Sequence, residues 1–169
     1  GHGYIREWGM EQNVRDARIS TLYEGTTGIQ AMDLLGRKVL LDGGQTLAAF
    51  IDIIQSSLPD LEAEFKTQLE IQLAEWQSLT QVIMAKAGGN IDELGASAFD
   101  YLMYSGYIVT SWMWARMASV ALVNGKSNYT AFYRLKVETA RFYFQKILLV
   151  KSPCNLVGKI FVYSYHKNI

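Results

Sequence analysis

Apolar residues recur along this chain at three- and four-residue steps, the spacing that places side chains on one face of an α-helix. The clearest run follows Pro59-Asp60, where Leu61, Phe65, Leu69, Leu73, Trp76 and Ile83 form one stripe. The residues between them are rich in Glu, Gln, Leu and Ala, strong helix formers, so a helix is predicted up to about Ala87. Leu94, Ala98, Leu102, Ser105, Val109, Trp112 and Leu122 predict a longer helix over Ile91 to Val123. Phe132, Leu135, Phe142 and Ile147 are the core candidates of a further one over Tyr129 to Leu149. Ahead of these, Ile29, Met32, Leu35 and Val39 predict a helix from Thr26 to Leu41, and Leu47, Phe50 and Ile54 another from Thr46 to Leu58.

Glycine pairs punctuate the pattern. Gly43-Gly44, Gly88-Gly89 and Asn124-Gly125 separate the segments, and Pro59 and Pro153 are the only prolines. Long helices joined by short turns predict an all-α fold: an antiparallel bundle of about four long helices preceded by one or two shorter ones. Three regions are expected: residues 1–43, a helical bundle over 44–150, and an irregular or extended tail over 151–169. In that tail Ile160, Val162, Tyr163 and Tyr165 break the helical pattern with β-branched and aromatic residues.

Composition narrows the function classes. The chain has 169 residues, 50% hydrophobic and 19% charged, which allows a full core and excludes a disordered chain. Its 16 basic and 16 acidic residues cancel, so no global field recruits nucleic acid. The lone Cys154 excludes an internal disulfide and fits a reducing, cytoplasmic setting. His2 and His166 lack metal-ligand partners in the sequence, so no metal site is expected. Gly106 to Val123 has Arg116 as its single charge and approaches the length of a membrane span. Thr110, Ser111, Arg116 and Ser119 interrupt it, and a buried bundle helix is the better reading. The aromatics over Tyr101 to Trp114 and Phe132 to Phe144 read as core filling.

Candidate chemistry lies in the first forty residues, where charges and glycines crowd together. Gly3-Tyr4 is followed by Glu7, Glu11, Arg15-Asp16-Ala17-Arg18-Ile19, Tyr23-Glu24-Gly25-Thr26 and Ile29-Gln30. In order and spacing, from Gly1 to about Lys38, this resembles the C-terminal signature of the acyl-CoA dehydrogenase family. The helices after Lys38 are similar, more loosely, to the extra C-terminal helical domain of the larger bacterial members, and the tail after about Leu149 departs from them.

The resemblance implies an FAD-dependent α,β-dehydrogenation of an acyl-CoA thioester to a trans-2-enoyl-CoA, a step of fatty-acid oxidation. It implies Glu24 as the base that removes the α-proton, with Tyr23, Glu24 and Gly25 against the substrate. Gly25, Thr26 and Gly28 are the implied flavin contacts, although Gly28 stands where many members carry a polar residue. Gly1 and Gly3 resemble the end of a glycine turn that reaches the adenosine diphosphate half of FAD. The implied partners are acyl-CoA, an electron-transfer flavoprotein as acceptor, and further copies in a homo-oligomer, with no nucleic acid and no membrane span. Arg15, Asp16 and Arg18 read as structural ion-pair and hydrogen-bond formers.

Two alternatives stay open at this level. Glu24 taken alone reads as an idle acidic residue ahead of a helix start, where the helix dipole favours it, and only the motif around it turns that reading toward catalysis. The residues after about Gly43 are equally a helical oligomerisation or docking module with no catalytic share. A chain of this extent lacks most of the family's flavin and acyl-CoA surface. It is therefore expected to be a C-terminal fragment, inactive alone and without FAD of its own.

Overall fold

The computed structural model describes residues 1–23, 26–88, 90–125 and 130–148, and among these the regular elements are all helices, joined by short turns. Glu24, Gly25 and the predicted tail over 151–169 lie outside the described residues. We number the helices α1 (Glu11–Arg18), α2 (Thr27–Met32), α3 (Gln45–Ser57), α4 (Ala63–Ala87), α5 (Ile91–Asn124) and α6 (Thr130–Phe142). α2 runs on as a π-helical segment, Asp33–Leu40, and α6 as another, Tyr143–Leu148.

The turn between α2 and α3 shows how local chemistry starts a helix. Gly43 and Gly44 take φ of 68° and 82°, left-handed values that cost a side-chain-bearing residue energy. The Asp42 carboxylate then accepts from the backbone N–H groups of Gly44, Gln45 and Thr46 and from the Thr46 hydroxyl. These satisfy donors that the first turn of α3 leaves without helical partners. The hydrogen bonds, chiefly those from Thr46, hold the Asp42 carboxyl below its ordinary carboxylate value.

Contacts between helices give their directions. Against α4, the partners on α5 run backwards: Glu62 N–H donates to Ser119, Tyr104 to Glu75, and Thr80 meets Tyr101. α4 and α5 are therefore antiparallel. α3 is antiparallel to α4, with Gly44 against Met84 and Phe50 edge-on to Trp76. α6 returns along α5, with Tyr143 donating to the Tyr107 carbonyl and Lys136 over the Trp114 ring. Four long antiparallel helices result, as the periodicity predicts.

The α4 stripe is buried in full: Leu61, Phe65, Leu69, Leu73, Trp76 and Ile83 all lie in the core. Tyr101, Tyr104, Ile108 and Trp112 meet it from α5, and Leu47, Ile51 and Ile54 from α3. Polar groups in this core are mostly paired. The Trp112 indole N–H donates to the Ser57 hydroxyl at 2.8 Å, while Ser97, Ser105 and Ser111 each donate to the carbonyl four residues earlier.

α6 departs from the expectation. Phe132, Leu135 and Phe142 are 55%, 57% and 56% exposed, so they are not its core face. The buried side is Val137, Ala140, Tyr143, Phe144 and Leu148, with the Phe144 ring tilted at 48° against that of Phe65, 4.9 Å between ring centres. Both faces of α6 carry apolar residues, and periodicity cannot choose between two stripes of equal spacing. Ala140 takes a core position beside Tyr143 and Phe144, while Phe132 and Phe142 face outward. Leu122, near the end of α5, is likewise exposed. No helix among the described residues is long and apolar enough to cross a membrane.

Candidate active-site motif

The motif-bearing residues begin as short turns and one short helix that stand apart from the core. His2–Tyr4 and Arg6–Trp8 are single 3-10 turns, separated from α1 by Gly9 at φ 65°. None of residues 1–23 is buried, and Tyr4, Trp8, Met10, Val14, Ile19, Leu22 and Tyr23 all present apolar surface outward. So many exposed large side chains on one short stretch mark a contact surface.

α1 is held by its own polar side chains. Gln12 donates to Asp16 at 2.6 Å and accepts from both Nε and Nη2 of Arg15, at 3.1 and 2.6 Å. Arg15 also pairs with Glu11 at 3.5 Å. Tyr4, Arg6, Glu11, Gln12 and Arg15 surround a polar recess of about 570 Å³. The Tyr4 hydroxyl, and then Glu11, hold the Arg15 guanidinium above its ordinary value. These bonds agree with a structural part for Arg15 and Asp16. Ser20 and Thr21 close the segment by donating to the carbonyls of Ala17 and Arg18.

After the Tyr23-Glu24-Gly25 stretch the chain enters α2. Thr26 is its N-cap: the hydroxyl accepts from the Ile29 N–H at 3.5 Å, and the Thr26 carbonyl takes the Gln30 N–H at 3.0 Å. Ile29 and Met32, predicted on the inner face, are 64% and 40% exposed. The buried face is Ala31, Leu35 and Val39, which join the same core as the bundle. The π-helical winding from Asp33 changes the angle per residue, so a 3.6-residue count begun at Ile29 drifts off the true inner face. Asp33 holds Arg37 at 3.1 Å and Lys38 at 3.7 Å on the outer side of that segment.

α2 packs on α5. Between them runs an open, mainly apolar groove of about 900 Å³, lined by Gly28, Ile29, Met32, Gly36, Leu94 and Phe99 among others. Leu94 closes directly on Gly36, its Cδ2 lying 3.5 Å from where a side chain at residue 36 would begin.

The expected site residues are distributed as follows. Gly28 lines the α2–α5 groove, and nothing approaches the position of a Cβ there within 4 Å. Gly1 and Gly3 are similarly open, in the first turn. Tyr23 and Thr26 are exposed. Neither the polar recess nor the apolar groove gathers Gly1, Gly3, Tyr23 and Thr26 together. The contact of Leu94 with the α2 segment is not foreseen from the sequence. Its signal there is Gly36, a glycine inside a helical pattern, which often has a packing reason.

Comparison with known proteins agrees with this layout. A family described as "Acetyl-CoA dehydrogenase C-terminal like" matches residues 45–151, and one described as "Acyl-CoA dehydrogenase, C-terminal domain" matches residues 1–40. The chain is 36% identical over 156 residues to 3-methylmercaptopropionyl-CoA dehydrogenase of Ruegeria pomeroyi, covering 88% of this chain and 26% of that protein. It is 32% identical over 163 residues to the broad-specificity linear acyl-CoA dehydrogenase FadE5 of Mycobacterium tuberculosis, covering 88% of this chain and 27% of that protein. A shorter similarity, 47% over 36 residues, links it to the caffeyl-CoA reductase-Etf complex subunit CarC of Acetobacterium woodii, covering 21% of this chain and 10% of that protein. The chain thus spans about a quarter of the length of the two dehydrogenases it matches over most of its extent. On the strength of both matched regions and the ordered motif within the first, this chain belongs to the acyl-CoA dehydrogenase family.

Proposed function

We propose that this chain supplies the C-terminal share of an FAD-dependent acyl-CoA dehydrogenase, with Glu24 as the base that removes the α-proton of an acyl-CoA thioester. One observation carries the reading. Tyr23-Glu24-Gly25-Thr26 stands directly before a helix whose Thr26 to Gly28 start is open on the outside. The same helix is anchored on the inside by Ala31, Leu35 and Val39. The division we propose is residues 1–43 as the end of the catalytic helical domain and 44–150 as an added bundle. The two family matches, meeting between residues 40 and 45, support it.

The residue types suit the reaction. The α-C–H of a thioester is a weak acid, so its base must be a carboxylate in a dry site, raised in pKa and aimed at that carbon. Glu24 takes the α-proton, the C–H electron pair becomes the Cα–Cβ double bond, and the β-hydrogen departs with its own pair. FAD, when bound, supplies the acceptor for that hydride. The negative charge growing on the thioester oxygen calls for donors already in place, and the backbone N–H of Glu24 is the one this chain offers. Gly25 adds no side chain where backbone and ligand meet. Thr26 and Gly28 fit a flavin contact because their face is uncrowded and Thr26 brings a hydroxyl. Gly1 and Gly3 fit an approach to the adenosine diphosphate portion on the same ground.

Substrate class is a CoA thioester, since the relatives are dehydrogenases of 3-methylmercaptopropionyl-CoA and of linear acyl-CoA. We extend the reading to a homo-oligomer in a reducing cytoplasm, working in fatty-acid oxidation and passing electrons to an electron-transfer flavoprotein. The CarC relative, named as part of an Etf complex, supports that last step. Alone, the chain is expected neither to turn over substrate nor to retain FAD. The test is Glu24→Gln in the intact enzyme, which should lose nearly all turnover while keeping its flavin. Normal turnover would end the assignment.

A second reading is favoured by the outward stripe Phe132, Leu135 and Phe142 on α6: residues 44–150 also serve as a docking or oligomerisation surface. It is compatible with the first, and sedimentation of the chain measures it.

A further inference from the structure

The contact between Leu94 and Gly36 deepens the reading of Glu24 as the base, and its functional meaning rests on that reading. α2 has two unlike ends. Thr26 to Gln30 are exposed, whereas Ala31, Leu35 and Val39 are buried against the bundle. The first turn, next to the motif, is therefore carried by contacts made further along the helix. Among them, Leu94 is itself buried and lies on the backbone at Gly36 with no side chain between. We infer that Leu94 is a positioning residue for this active site: its packing on Gly36 sets the direction of α2 and so the place of its Thr26 end, which follows the proposed base in the sequence.

A lever argument gives the size of the effect. Gly36 and Thr26 are ten residues apart, about 15 Å at the helical rise. A tilt of roughly 4° at Gly36 then moves Thr26 by about 1 Å, and a 1 Å misplacement of a catalytic group can cost about a hundredfold in rate. Glu24 stands two residues before Thr26 in the sequence, and its reading as the base is what gives a displacement of this helix end a catalytic meaning. Gly36 is not demanded by sterics, because a Cβ there would sit at ordinary contact distance from Leu94. The closeness of Leu94 is what matters. Through α5, the bundle following residue 44 thereby bears on the direction of α2.

The test is Leu94→Ala in the FAD-loaded enzyme, with Leu94→Met as a volume-conserving rescue. Turnover by Leu94→Ala should fall about tenfold to a hundredfold while KM stays within about twofold and the flavin spectrum is unchanged. The isotope effect with α-deuterated acyl-CoA should rise, because proton abstraction becomes slower than the steps around it. Leu94→Met should restore both. In the chain alone, the amides of Ile29 to Asp33 should exchange faster in Leu94→Ala and return toward normal in Leu94→Met. Should Leu94→Ala fail to fold, Leu94→Val replaces it, with a smaller shift in the same direction. Unchanged turnover and unchanged exchange in a folded variant overturn the inference. So does lost turnover with an unaltered isotope effect that Leu94→Met does not recover. Glu24→Gln measured alongside separates the two ideas: if it remains active, the base assignment fails whatever Leu94 does. If it is dead and the Leu94 variants behave normally, the positioning role alone fails.

Discussion

The hydrogen bond between the Tyr101 and Thr80 side chains, 2.8 Å long, lies wholly inside the core and joins α5 to α4. Thr80 Oγ1 already donates its single proton to the Trp76 carbonyl at 2.8 Å, so the Tyr101 phenol must be the donor in the second bond. The Trp76 indole N–H also leans on this phenol without closing a hydrogen bond of its own. Tyr101 is 0% exposed and Thr80 3%, so water cannot replace either partner. Tyr101→Phe leaves only an acceptor lone pair unused and should cost about 1–2 kcal/mol. Thr80→Val strands a buried donor and also releases the Trp76 carbonyl, so it should cost more, about 2–3 kcal/mol. With both oxygens gone the stranded groups vanish together. The double variant should therefore lie at least about 1 kcal/mol above the sum of the singles in stability. In a chain of this size 1 kcal/mol moves the melting temperature by about 2–4 °C. Urea and thermal unfolding followed by far-UV circular dichroism measure all four proteins. Additive singles, or a Thr80→Val cheaper than Tyr101→Phe, would refute the donor assignment. Burial raises the Tyr101 pKa above its ordinary 10.0. The stability it brings is therefore whole below that value and lost as pH climbs toward the folded-state pKa, so Tyr101→Phe should flatten the alkaline limb.

Two other predictions concern exposed parts of the fold. The Asp42 carboxyl is lowered in pKa by its hydrogen bonds to Thr46, Gly44 and Gln45, so its support for the start of α3 is present above the ordinary aspartate value and lost as pH falls through the lowered one. Asp42→Asn should melt earlier than the parent near pH 6, with the gap closing toward about pH 2, and a gap constant across that range contradicts the cap. If the α6 stripe is a docking face, sedimentation should show self-association that weakens in Phe132→Ser/Phe142→Ser. A parent chain that stays monomeric at high concentration removes self-association from the second reading.

The parts of this fold that are legible in the sequence are those where one apolar stripe faces one core. α4 has its stripe on a single side, and every predicted core residue there is buried. α6 has two, and the choice between them depends on what Phe65 and Tyr107 offer from neighbouring helices. Nothing within α6 encodes that. In α2, periodicity places Leu35 and Val39 correctly and misplaces Ile29 and Met32, because the π-helical turn alters the period partway along. The motif is legible for a different reason: its information is residue identity at fixed spacing, which survives without knowledge of packing. Its surroundings are not, since the α5 residue that reaches Gly36 lies 58 positions later in the chain.

α2 has to meet two demands at once, and they fall on different faces of it. Ala31, Leu35 and Val39 are chosen for the bundle, where small and branched side chains allow close packing. Ile29 and Met32 line the open α2–α5 groove and, like the apolar surface of residues 1–23, are exposed. Exposed apolar surface of that kind marks a contact face. A helix held by the bundle along Ala31, Leu35 and Val39, and covered along its exposed apolar face, would have little freedom to tilt, the condition that the proposed role of Glu24 calls for. Loss of either grip should then weaken catalysis before it unfolds the chain, since reorienting one helix is easier than opening a core centred on α4 and α5.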